Sequence, residues 1–262
     1  MRLRDNVIFI TDADSMSGKA IFKRLLQEGA WFILNSPSNG SNIQAELELC
    51  QANGSRYMLT NVDLCDNDQL NKLLEEAEQT MGKVDVLIHN NNVVKEISVE
   101  FGDEAIFQEI LSSNAKSAFI TTQAVGKQMA KYQSGKIIYV GSIHAEKPTG
   151  SSFAYSAARA AVQMLSREAS LVLGRNGVQA NHIMFGPVLG DDEVFKSNLS
   201  FLYEDYNYKV PNAVLGTYED LAELVSYLAS DQARYLNGAD IRLDGGFLNH
   251  YLDVKTKKPN WE

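Results

Sequence analysis

Short runs of consecutive apolar residues alternate along the chain with longer segments whose apolar positions recur every three or four residues. The runs at 7–10, 31–34, 56–62, 84–89, 136–140, 179–184 and 241–243 predict strands, and the segments at 18–28, 43–51, 68–81, 104–132, 154–174 and 218–230 predict helices. A run such as Val7-Ile8-Phe9-Ile10 has no polar alternation, as expected of a strand covered on both faces. Strands separated by helices in this way predict an α/β fold, a doubly wound parallel sheet of about seven strands with helices on both faces. No Pro/Ser-rich linker or internal repeat divides the chain, so residues 1–250 are expected to form one domain. The least patterned stretch, near 189–214, is rich in aromatic and acidic residues and is expected to be a lid-like insertion at the carboxyl edge of the sheet. Residues 251–262 are polar with one aromatic, Trp261, and are expected to be a tail that is either disordered or docked through that tryptophan on a neighbouring subunit.

Composition narrows the class of function. With 262 residues, 45% hydrophobic and 22% charged, the chain can bury a full core. A net charge of −9 argues against a nucleic-acid partner. Cys50 and Cys65 lack metal-ligand spacing, the four histidines are scattered, and the N-terminus has no secretory apolar segment. No metal and a cytoplasmic location are therefore expected. No apolar run is long enough to span a membrane.

Chemistry concentrates at two places. The first is Thr11-Asp12-Ala13-Asp14-Ser15-Met16-Ser17-Gly18, between the first strand and the first helix, where a dinucleotide's phosphates sit in folds of this type. Of the three glycines such a turn normally carries, only Gly18 is present. Met16 is expected to project toward the phosphates, and Asp12 and Asp14 bring negative charge to a helix end that attracts anions. Alternatively, Asp14 or Ser15 caps the helix. The second place joins Ser142, at a strand end, to Tyr155 and Arg159, one turn apart on the next helix. Two hydroxyls meeting at one substrate oxygen make a proton-transfer site. Tyrosine is a poor base at neutral pH unless a fixed cation stabilises its phenolate, and Arg159 supplies that cation. A lone Tyr-x-x-x-Arg would be an accident of a helix surface; Ser142 gives it meaning.

Over nearly its whole length the sequence resembles the short-chain dehydrogenase/reductase family. The T-G-x-x-x-G-x-G turn of that family falls on Thr11 to Gly18, and its N-N-A-G segment on His89, Asn90, Asn91 and Asn92. Its helix asparagine falls on Asn114 in SSNAKSAF, its serine on Ser142 in IIYVGSI, and its Y-x-x-x-K pair on Tyr155 and Arg159 in YSAARAAV. The segment DLAELVSYLASDQARYLNGADIRLDGG matches the family's closing helix, strand and turn. The resemblance implies a Rossmann fold binding NAD or NADP. It implies cofactor contacts from Thr11, Ser15, Met16, Gly18, Ser36, Asp63 and Asn90, and catalysis by Ser142, Tyr155, Arg159 and Asn114. In it, Ser142 positions the substrate oxygen, Tyr155 exchanges the proton, Arg159 stands where a lysine holds the nicotinamide ribose, Asn114 organises a water relay and Asp63 contacts adenine.

The residues leave alternatives open. Asp63 serves equally as a loop cap, Asn114 as a helix residue bonded to backbone, and Asn90 to Asn92 as a turn, since asparagine tolerates positive φ. Asn35 and Ser36 end the second strand with neither an acid for a ribose hydroxyl nor an arginine for a 2′-phosphate, so NAD and NADP are not distinguished. His89 is expected to be buried and satisfied, and His144 either buried or facing substrate. Phe185, Phe195, Phe201, Leu202, Tyr203, Tyr206 and Tyr208 line an apolar pocket or pack in the core. Guanidinium does not readily give up a proton. At Arg159 the sequence also resembles the halohydrin dehalogenases, a branch of the same fold with a Ser-Tyr-Arg triad and no dinucleotide; FGPVLG echoes their Gly-Pro order. Three functions follow: an oxidoreductase acting on a carbonyl or secondary alcohol with an atypical cofactor site, a cofactor-independent lyase using Ser142, Tyr155 and Arg159, and a non-catalytic family member. The oxidoreductase leads because the wider family does that chemistry. Its partners are a small-molecule substrate and further copies of the chain, as homodimer or homotetramer, through the helices at 104–132 and 154–174.

Overall fold

Val7–Ile10 forms β1, near the middle of a seven-stranded sheet, and its alternate side chains enter different cores. In the computed structural model, which describes residues 1–191, 209–211 and 214–249, Ile8 and Ile10 join one apolar cluster and Val7 and Phe9 the other. That two-residue period, apolar on both faces, is why the run carries no polar positions.

The remaining strands are β2 (Trp31–Asn35), β3 (Tyr57–Thr60), β4 (Val84–His89), β5 (Gly135–Ser142), β6 (Val178–Phe185) and β7 (Asp240–Leu243). All neighbours pair parallel, in the order β3-β2-β1-β4-β5-β6-β7. Helices α1 (Met16–Leu26), α2 (Gln44–Ala52) and α7 (Tyr218–Ala229) contribute Phe22, Leu25, Leu47, Val225 and Leu228 to the core on one face. On the other face, α3 (Asn67–Thr80), α5 (Ser117–Tyr132) and α6 (Phe153–Gly174) contribute Leu70, Leu74, Val125, Met129 and Val162. Side-chain oxygens of Ser15, Asp66 and Thr217 cap α1, α3 and α7, the last as a capping box with Asp220. This is the predicted doubly wound fold. Strand order reverses between β1 and β4, and the crevice at their carboxyl ends is where such sheets bind ligands.

Two boundaries move in ways that matter. The predicted helix 104–132 is interrupted: α4 (Glu104–Leu111) ends at a π turn, Ser112–Lys116, before α5 begins. At this turn the Asn114 side chain competes with the helical backbone, donating to Ile110 O four residues back. Strand β5 runs on from the predicted 136–140 to Ser142, because Ser142 still pairs with Phe185 of β6.

The predicted lid near 189–214 falls largely outside the described residues, as do Phe195, Phe201, Leu202, Tyr203, Tyr206, Tyr208 and the tail 251–262. Among the described residues no helix is long and apolar enough to cross a membrane, and no group of three or more His, Cys, Asp or Glu can hold a metal.

Candidate functional site

None of residues 11–18 has a positive φ, so the turn between β1 and α1 does not ask for glycine at Asp12 or Met16 on conformational grounds. Gly18 is required for a different reason: a Cβ there would lie 2.0 Å from the Asp12 carbonyl oxygen. Ser15 caps α1, its side chain accepting from Gly18 N at 3.1 Å. Asp12 Oδ1 accepts from Ser15 N, and burial, reinforced by Asp14, pushes its carboxyl above the usual range. Asp14 turns away from the helix. Its carboxylate accepts from Ser36 Oγ at 2.6 Å and Ser38 N at 2.8 Å, beyond the end of β2.

Asn90, the first residue after β4, ties this turn down. Its Oδ1 accepts from Asp12 N and Thr11 Oγ1, and its Nδ2 donates to Asp12 O and to the hydroxyls of Ser15 and Ser17. Thr11 Oγ1 accepts from Asn90 N in return. Asn35 likewise bridges β1 to β3: its amide donates to Thr11 O and Val62 O and accepts from Val62 N. Ser36 is buried with its hydroxyl given to Asp14, and Asp63 is exposed and caps a turn by accepting from Cys65 N. Asn90 to Asn92 all have negative φ, so they are not the left-handed turn that asparagine's tolerance allowed.

Tyr155, Asn91, Asn92 and Asn114 surround Arg159, while Ser142 meets Tyr155 across a cavity. Tyr155 and Arg159 are each 1% exposed. The guanidinium carbon lies 4.8 Å from the centroid of the Tyr155 ring. Arg159 Nη2 donates to Asn91 O at 2.8 Å, to Asn114 Oδ1 at 3.3 Å and to Asn92 Oδ1, while its Nε and Nη1 are buried without a hydrogen-bond partner. The Tyr155 phenol donates to Asn92 Oδ1 at 2.7 Å. Ser142 Oγ accepts from His144 N. The π turn aims Asn114 at the loop after β4, where it accepts from Val93 N and donates to Val93 O, so the backbone-bonding alternative holds for it together with contact to Arg159.

Histidines pack behind these groups. His89 is buried, its Nε2 paired with Ser117 Oγ at 3.0 Å and its Nδ1 unpaired; burial, then the charge of Arg159, pulls it down to about 3. His144 is also buried, with Nδ1 on Lys147 O and its ring 6.2 Å from that of Tyr155; burial holds it at about 4. His182 lies against Gly141, where a Cβ would come within 1.9 Å of its Nε2.

Ser142 and Tyr155 share a cavity of about 130 Å³ with Ser15, Met16, Asn92 and Tyr218, so the first turn of α1 and the two hydroxyls face one space. Phe185 and Val188 form an apolar part of its wall. Met16, 63% exposed, also borders a second cleft with Lys19, Lys23, Glu46 and Leu189. The sequence reading gave Asn92 only as part of a motif or turn, not as a site residue, and did not single out Tyr218. The signal for Asn92 was three consecutive amides at the carboxyl end of a central strand. For Tyr218, the first residue of α7, there was none.

With the geometry in hand, comparison with known proteins is informative. A family model described as Enoyl-(Acyl carrier protein) reductase matches residues 13–248. An L-rhamnose 1-dehydrogenase (NAD(P)(+)) of Azotobacter vinelandii is 29% identical over 256 residues, 95% of this chain and 99% of its own. The 3-oxoacyl-[acyl-carrier-protein] reductase MabA of Mycobacterium avium is 32% identical over 184 residues, 70% of this chain and 71% of its own. Among solved structures, levodione reductase superposes with a TM-score of 0.86 at 25% identity, covering 95% of this chain and 100% of that one.

Proposed function

Because this chain belongs to the short-chain dehydrogenase/reductase family of oxidoreductases, we propose that it transfers hydride between a nicotinamide dinucleotide and a carbonyl or secondary alcohol. The observation that carries this reading is that Ser142 and Tyr155 line the same cavity as Ser15 to Ser17, at the switch point of the sheet. The residues fit such a cofactor. The turn from Thr11 to Gly18, fixed by Asn90, would hold its phosphates, and Tyr155 and Arg159, whose Nε and Nη1 are buried and unpartnered, would hold the end nearer the reaction. When bound, the dinucleotide gives or takes the hydride.

The chain's own residues handle the oxygen and the proton. Ser142 orients a substrate oxygen through its hydroxyl, and Tyr155 donates its phenol proton to that oxygen in reduction or takes it back in oxidation. The Arg159 guanidinium lies against the Tyr155 ring, 4.8 Å from its centroid, and helps to hold it in place. Arginine keeps its own proton, so the proton returns to Tyr155 by another route than this side chain. NAD(P) dependence in L-rhamnose 1-dehydrogenase supports the cofactor class. A second reading, a cofactor-independent lyase, draws on the small cavity and the charged, partly unpartnered Arg159. There, Tyr155 removes a hydroxyl proton and the resulting alkoxide displaces a neighbouring halide.

Calorimetric titration of nucleotide-free protein with NADH and NADPH tests the first reading. Micromolar binding of either is expected, and Tyr155→Phe is expected to lower turnover by about 10²-fold or more with cofactor affinity little changed. No binding at millimolar cofactor overturns the reading and directs the assay to halide release from halohydrins.

The same proposal includes self-association. Phe119 on α5 and Met164, Leu171 and Val172 on α6 are half or more exposed, beside a groove that Lys127 and Glu168 also line. A two-fold axis along this face would bring the apolar side chains of two copies together and set Lys127 of each within reach of Glu168 of the other.

A further inference from the structure

The two hydrogen-bond donors at the centre of the site converge on an atom that the chain itself supplies. Asn92 Oδ1 accepts both the Tyr155 phenol O–H and an Arg159 Nη2 N–H. Those two donors are almost wholly buried, whereas Asn92 is exposed, stands on the irregular loop after β4 and lines the cavity beside Ser142. Tyr155 lines that cavity too, and its phenol and the Arg159 guanidinium each have a donor committed to this one carboxamide.

A carboxamide oxygen is an uncharged acceptor with two lone pairs, and a ketone or a sugar hydroxyl presents an acceptor of the same kind. We propose that Asn92 is an internal ligand: its carboxamide holds the place of a ligand's uncharged oxygen between Tyr155 and Arg159 and turns away when that oxygen arrives. The site survives the exchange. Asn91 O and Asn114 Oδ1 continue to accept from Arg159 Nη2, and Asn114 keeps the loop bonded through Val93. Only the exposed side chain has to rotate. The arriving oxygen belongs either to the ribose of a nicotinamide cofactor or to the substrate carbonyl. The identity of the ligand rests on the function proposed above; the latch itself does not.

Two substitutions at position 92 act in opposite directions. Asn92→Gly removes the competing oxygen and is expected to tighten NADH and ADP-ribose about tenfold or more, the scale of one or two released hydrogen bonds, while leaving ADP, which lacks the second ribose, unchanged. Asn92→Asp puts a carboxylate on the buried Arg159 and is expected to weaken NADH and ADP-ribose about tenfold or more. A residue that merely shaped the loop would move both variants the same way. Acetamide and cyclohexanone, added during thermal unfolding, are expected to raise the melting temperature of Asn92→Gly saturably and not that of the wild type.

Calorimetry and melting together also identify the source of the oxygen. Tightening of NADH and ADP-ribose identifies a ribose hydroxyl. Stabilisation of Asn92→Gly by cyclohexanone without any change in nucleotide binding identifies a substrate carbonyl. If no variant binds a dinucleotide, the cofactor reading fails and the melts with acetamide and cyclohexanone still decide the latch. Shifts of both variants in one direction, or no nucleotide effect and no stabilisation by either small molecule, overturn it.

Discussion

Arg159 is a guanidinium inside the protein with no carboxylate partner among the described residues, held by amide and backbone oxygens and by the face of Tyr155. A lysine in that position would carry the same charge on a shorter reach and could pass a proton; the planar fork of arginine instead spreads its contacts over Asn91, Asn92 and Asn114. Its field is felt by the buried His89, whose folded-state value of about 3, set first by burial, lies below the ordinary 6.5. Between those values the unfolded chain binds a proton that the folded one refuses. The stability His89 contributes as a neutral ring is therefore complete above pH 6.5 and is lost as pH falls toward 3. In His89→Asn the melting temperature is expected to fall less between pH 7 and pH 4.5 than in the wild type, despite a loss of about 1 kcal/mol at pH 7 from the missing Ser117 bond. Parallel curves for the two proteins would show that His89 is not a source of acid sensitivity.

At the scale of elements, the break between α4 and α5 decides where the site's support comes from. The apolar spacing from 104 to 132 is continuous, so periodicity alone predicts one helix. The side chain of Asn114 interrupts it because four groups claim its amide: Val93 N, Val93 O, Ile110 O and Arg159. Satisfying them widens one turn, and the polar Ser112-Ser113-Asn114 sequence was the available hint. Asn114→Ala would leave Val93's backbone groups without those partners and is expected to cost about 2–4 kcal/mol in urea unfolding, with cofactor affinity reduced as the loop bearing Asn92 loosens. A loss below about 0.5 kcal/mol would mean that the loop holds itself. The β1–α1 turn teaches a related lesson. Missing glycines at 12 and 16 look like damage in the sequence, yet every φ from 11 to 18 is negative, and the one close approach falls at the glycine that is present, Gly18.

For the whole molecule, the longest described helix, α6, has one face in the core and another open beside α5. The two helices meet at Gly126, over which the Leu173 side chain packs, its Cδ1 2.9 Å from where a Cβ would stand. Outside that contact, Leu171 is 75% exposed. Leu171→Glu would place a charge in the proposed interface, and sedimentation is expected to show a smaller assembly than the wild type with an unchanged fold. A wild type that sediments as a monomer at micromolar concentration would remove the proposed association.

By itself the sequence determined the fold, because strand and helix periods are set locally by which faces meet the two cores, and those faces recur in order from Val7 to Leu243. It also carried the positions of Ser142 at a strand end and of Tyr155 and Arg159 one helical turn apart, since these are short-range relations. Tertiary structure alone decided what the polar side chains with distant partners do. Asp14 is drawn to Ser36 and Ser38, 22 and 24 positions away, Asn90 to the turn at Asp12, and Asn92 to two donors more than 60 residues distant in the chain. A hydrogen bond depends on where a partner lies within about 3 Å, and no spacing along a chain expresses that distance when the partner arrives from another element.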